Sequence, residues 1–91
     1  MLYTGDLGVQ IVLDTDHALT SATRGEILYR KPSGETGVWL ADIVLPTQLS
    51  YQTILGDIDE SGKWTLQARV TFPGELIHGE PVSVRVDHTI L

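Results

Sequence analysis

The chain contains no cysteine. No disulfide staples the fold, and no thiolate is on hand as a nucleophile or a metal ligand. Small extracellular domains often depend on such bridges, so their absence points to folding in a reducing cytosol. Basic residues are scarce too: six Lys and Arg stand against twelve Asp and Glu, a net charge of −6. Arg24, Arg30, Lys31, Lys63, Arg69 and Arg85 are scattered along the sequence, with only Arg30 and Lys31 adjacent. Nucleic acids and anionic membranes both demand clustered cations, so neither is the expected partner. No apolar run approaches the roughly 20 residues that span a bilayer. Residues 1–6 lack the basic and apolar regions of a signal peptide, so the expectation is synthesis in the cytoplasm without secretion.

What the chain does have is a globular composition, 42% apolar and 20% charged over 91 residues, which fits one domain spanning 1–91. A domain this small buries roughly two thirds of its unfolded surface, which leaves little room for a deep catalytic cleft. The dominant hydrophobic period is two. Over residues 64–72, Trp64, Leu66, Ala68, Val70 and Phe72 share one face and Thr65, Gln67, Arg69 and Thr71 the other, the signature of a half-buried strand. Pro73-Gly74 then predicts a tight turn. Val82, Val84 and Val86 give the last strand, interrupted early by His78-Gly79-Glu80-Pro81, where a bulge or an edge position is expected. Earlier inward rows are Val9, Ile11 and Leu13; Ile27 and Tyr29; Trp39, Ala41 and Ile43; and Leu49, Tyr51 and Thr53. Lys31-Pro32-Ser33-Gly34 reads as a turn, Leu45-Pro46 as a strand end, and residues 17–23 as one short helical turn. The fold class expected is all-β, a sandwich or small barrel of six to seven antiparallel strands without a disulfide.

Chemistry-bearing motifs are few. Asp57-Ile58-Asp59-Glu60-Ser61-Gly62 matches the first half of a calcium loop, but the twelfth position, which must carry a bidentate carboxylate, is Ala68. Asp57 and Asp59 are therefore expected to cap a turn, as are Asp14 and Asp16, with a weak cation as the competing reading at both turns. His17, His78 and His88 lack the spacing of paired ligands. None of the five serines sits in a nucleophile motif, and no glycine-rich stretch opens a phosphate-binding helix. No catalytic residue, metal ligand or cofactor is expected, and the chain does not read as an enzyme.

The notable residues are apolar ones on the wrong side of the pattern. If Trp39, Ala41 and Ile43 face the core, Val38, Leu40 and Val44 face away from it, as Val12 does on an earlier strand. Such a row predicts either a protein–protein contact or a face covered by another part of the chain. The apolar ends, with Tyr3, Ile90 and Leu91, extend the same candidate interface.

Two resemblances complete the reading. Glu60-Ser61-Gly62-Lys63-Trp64-Thr65-Leu66 resembles the immunoglobulin segment in which an acid and a corner tyrosine precede the second cysteine. The resemblance puts Trp64 at the corner, Leu66 and Ile27 at the two cysteine positions and Trp39 at the buried tryptophan, so it implies an immunoglobulin-like β-sandwich with an Ile27–Leu66 apolar contact in place of the disulfide. A tryptophan corner has no tyrosine hydroxyl to bond back to the chain. Three blocks, residues 3–8, 29–39 and 56–68, are together similar to short bacteriophage proteins with this fold, in particular the N-terminal domain of the phage baseplate upper protein family. That resemblance implies a virion structural protein that docks on tail, baseplate or capsid proteins in many symmetric copies, and it carries no catalytic residues. Members of that family continue into further segments where this sequence stops at Leu91, which favours a stand-alone accessory subunit. The competing expectation is a carbohydrate- or cell-surface-binding module, which needs exposed aromatics; of the six aromatic residues only Tyr3 falls outside the core rows.

Overall fold

A computed structural model describes residues 2–90. They form eight strands: β1 Leu2–Tyr3, β2 Gln10–Asp14, β3 Arg24–Arg30, β4 Thr36–Val44, β5 Gln48–Gln52, β6 Gly62–Phe72, β7 Glu75–His78 and β8 Val82–Asp87. No helix occurs among the described residues, so none is long and apolar enough to cross a membrane. The all-β expectation holds; the strand count and the purely antiparallel pairing do not. The strands follow one curled path, β1-β8-β6-β3-β4-β5-β2, with β7 beside β6, and β1 lies parallel to β8. Residues 17–23 make a bend and a turn, with the Ala22 N–H donating to the Leu19 carbonyl, in place of the expected helical turn.

β4 produces the curl. Its first part, through Ala41, pairs with β3, and its last part, Asp42 to Val44, pairs with β5. One strand thus belongs to a main arm (β8, β6, β3) and to a second arm (β5, β2). The second arm folds over until Ile11 of β2 lines the same small void as Val84 and Val86 of β8. Strand alternation fills the space between: Ile27, Leu49, Trp64, Leu66, Ala68, Val70 and Val86 are all buried. Loop residues Leu19 and Ile58 plug the ends. The rings of Tyr29, Trp39, Tyr51 and Trp64 form the centre, Trp39 stacking on Tyr51 at 4.9 Å and 9° and lying 4.7 Å from Tyr29. The Tyr29 ring lies across Gly37, where a Cβ would collide with it, so any larger residue here must displace that ring.

The interruption expected near residues 78–81 separates two strands. β6 is eleven residues long, and one edge of it must be satisfied along its whole length. β8 pairs with Gly62 to Leu66, β7 pairs with Arg69 to Phe72, and the Gly79 N–H fills the gap by donating to the Ala68 carbonyl at 2.9 Å. The Pro73-Gly74 turn joins β6 to β7 with Gly74 at φ 75°.

The corner segment behaves differently from the resemblance in two respects. Trp64 does bond back to the chain: its indole Nε1–H donates to the Glu60 carbonyl at 2.9 Å. Ile27 and Leu66, however, lie on neighbouring hydrogen-bonded strands, Ile27 opposite Ala68 and Leu66 opposite Tyr29. Backbone pairing of β3 with β6 puts both side chains on one sheet, so they do not bridge two facing sheets.

Inward and outward positions differ sharply in expected cost. Ile27→Ala should lower the free energy of unfolding by about 2–5 kcal/mol, because it opens a cavity in a fully buried site. Val38→Ala, on the outer side of the same strand pair, should stay within about 0.5 kcal/mol of wild type. Urea unfolding followed by tryptophan fluorescence distinguishes the two.

Candidate interaction surface

Alternation along β3, β4, β6 and β8 gives the main arm an outer face as regular as its core face. Register aligns its rows: Thr65, Arg30 and Thr36; Gln67, Leu28 and Val38; Arg69, Glu26 and Leu40. Lys63 stands opposite Arg85 in the next row, and His78 opposite Arg69. Five of the six basic residues therefore share this side of the sheet, which corrects the scattered distribution read from the sequence. Strand pairing brings together cations that are far apart in the chain.

The sixth, Lys31, is turned inward and only 8% exposed. Its Nζ lies 2.9 Å from Asp59 and 3.3 Å from Glu35, and 5.8 Å from the centre of the Trp64 ring. The hydrogen bond to Asp59 raises its pKa above the ordinary value, against the opposing effect of burial. Neighbouring Ser33 donates to Glu60 from both its backbone N–H and its hydroxyl. Asp57 accepts the Tyr51 hydroxyl at 2.6 Å and the Ile54 N–H at 2.8 Å. Burial, then that bond to Asp57, pushes Tyr51 up to about 12. The carboxylates of the half calcium loop are thus engaged by the turn between β3 and β4 and by β5. At the other acidic turn, Asp14 accepts the Asp16 N–H at 2.9 Å, the capping expected there. Among the described residues, no three His, Cys, Asp or Glu side chains are grouped as a metal ion would need.

On the outer face Glu26 is the buried polar centre, 7% exposed. It accepts from Arg69 Nε at 3.0 Å and pairs with Arg24 at 3.4 Å. The Arg69 hydrogen bond holds its carboxyl below the ordinary 4.5, burial opposing and the charges of Arg69 and Arg24 assisting. Arg85 pairs with Asp87 at 3.0 Å. Arg30 and Lys63 are exposed and, among the described residues, have no ion-pair partner. Between the rows runs an open groove of about 410 Å³, lined by Leu28, Arg30, Val38, Thr65, Gln67 and Pro81. A bond from Gln67 Nε2 to the Gly79 carbonyl at 2.9 Å fixes one wall.

No protein-family model, no curated protein and no solved structure matches this chain.

The apolar residues singled out from the sequence are distributed over this framework. Val38 and Leu40, 47% and 65% exposed, lie together on the outer face of β4. Val44 is also outward but sits where β4 has joined the second arm, beside exposed Leu45. Val12 is outward on β2, at the far edge of that arm. Tyr3 is exposed on β1, four strand spacings from β4 and roughly 19 Å away, and Ile90 is exposed beyond the end of β8. Leu91 lies outside the described residues. Of the seven candidates the structure brings together Val38 and Leu40, and it adds Leu28, Leu76 and Pro81 to the same side. Exposed Leu7, Ile54 and Leu55 form another apolar group, where Gly8 and Val9 bond across to Thr53. They lie in loops, where no period marks them as exposed.

The pH dependence of Glu26 has a definite sign. A lowered folded pKa means that its stabilisation is fully present above about 4.5 and is lost as pH falls through the lower folded value. Glu26→Gln should weaken the protein at neutral pH and flatten its acid limb, read as urea midpoints from pH 7 down to about 2.

Proposed function

We propose that this chain is a structural protein that docks on a larger assembly through the outer face of β3 and β4. The observation that carries the reading is the exposure of Val38 and Leu40 in mid-strand beside the Leu28 groove. Apolar side chains in a regular strand facing water favour a contact surface, and here no loop of the described chain lies over them. The three sequence blocks extend the proposal to a bacteriophage virion protein, present in many symmetric copies and bound to tail, baseplate or capsid proteins. The immunoglobulin-like description belongs to the same proposal. It is supported by the corner at Trp64 and by the second arm folding over the first, while the pairing of β3 with β6 departs from it.

The carbohydrate-binding alternative draws no support from the rings. Trp39 and Trp64 are buried, and Tyr29 and Tyr51 pack against them. The proposal assigns no catalytic residue, cofactor or metal.

In phage particles purified from the producing culture, the wild-type chain should sediment with the particle at fixed stoichiometry. Leu40→Asp should remain folded by circular dichroism yet stay in the soluble fraction. Wild-type chain found only in the soluble fraction would sink the proposal.

A further inference from the structure

We infer that the partner presents an acidic segment carrying apolar side chains, received lengthwise along the groove between Leu28, Val38 and Pro81 and held by Arg30 and Lys63. The inference deepens the docking proposal above and rests on it. Charge complementarity carries it. A chain of net charge −6 collects five of its six cations on one side of the main arm. The strand carboxylates of the same phase are Glu26, Asp42 and Asp87; Glu26 is shared between Arg24 and Arg69, and Asp87 pairs with Arg85. The face therefore keeps unpaired positive charge at Arg30, which lines the groove, and at Lys63, one row further along on neighbouring β6. An acidic partner is repelled by the rest of the molecule and steered to this side.

The mixture of groups narrows the partner's class. Leu28, Val38 and Leu40 ask for apolar side chains at the spacing of an extended chain, next to carboxylates that reach Arg30. A polynucleotide fits less well: Trp39, Tyr51 and Trp64 pack into the core, Tyr29 packs against them, and exposed Tyr3 lies on β1 at the far edge of the sheet, so the groove lacks a row of exposed rings for bases to stack on. A second copy meeting this face two-fold would set Arg30 and Lys63 against like charges.

Fluorescence anisotropy with a labelled peptide of alternating glutamate and leucine tests the idea. The intact chain should bind it, with affinity falling as salt is added. Arg30→Glu combined with Lys63→Glu should weaken binding by about tenfold or more, while Glu75→Lys leaves it unchanged. Equal binding by the Arg30/Lys63 variant overturns the inference. So does equal or tighter binding of the lysine–leucine counterpart or of single-stranded DNA, and so does a concentration-dependent dimer, seen by sedimentation velocity, that the double variant abolishes. Particle sedimentation separates the two levels. If Leu40→Asp is lost from particles and the charge variant is retained, the docking proposal stands and the acidic partner falls. If both are retained, the docking proposal itself falls.

Discussion

The packing of Trp39 between Tyr29 and Tyr51 is the contact on which the rest of the molecule depends. Trp39 sits on β4, the one strand that belongs to both arms, and its ring stacks on Tyr51 of the second arm while touching Tyr29 of the first. Large flat side chains at this point bury much apolar area and fix the angle between the arms. Gly37 makes the arrangement feasible by leaving room for Tyr29 two residues before Trp39. The curl that results closes the core without a disulfide, with loop residues Leu19 and Ile58 filling its ends.

A second consequence is the separation of charge. The carboxylates of the acidic stretch at residues 57–60 hold Lys31, Ser33 and Tyr51. This ties the turn between β3 and β4 to the corner that leads into β6, and it draws the one inward-facing lysine over the Trp64 ring. The other cations follow strand alternation to the outer side. An acidic protein thus carries a locally basic, partly apolar face whose composition the net charge conceals.

Much of this architecture was legible in the sequence, because period-two patterning is a local consequence of strand geometry. The inward row from Trp64 to Val70, the turn at Pro73-Gly74 and the exposure of Val38 and Leu40 all follow from alternation alone. The break between β7 and β8 was visible as Gly79 and Pro81, but two strands sharing one edge of β6 depend on the length of β6, which no local pattern states. The buried Glu26 escaped notice because a carboxylate at an outward position reads as solvated. Its burial requires Arg24 from its own strand and Arg69 from the neighbour.

The sequence by itself determined the all-β class, the identity of most core residues and the turn capping by Asp14 and Asp57, since each is set by backbone preference and the alternation of side chains over a few residues, whereas Asp59 was drawn from its expected capping role to Lys31 by the tertiary fold. Only the tertiary structure decided which strands are neighbours. That decision placed Ile27 and Leu66 on one sheet and gathered Arg30, Lys63, Arg69 and Arg85 on one side, the side that carries the Leu28 groove. Strand pairing joins residues dozens of positions apart, through hydrogen bonds of a backbone that is chemically the same at nearly every residue, so the pattern within a strand names its faces without naming its partners.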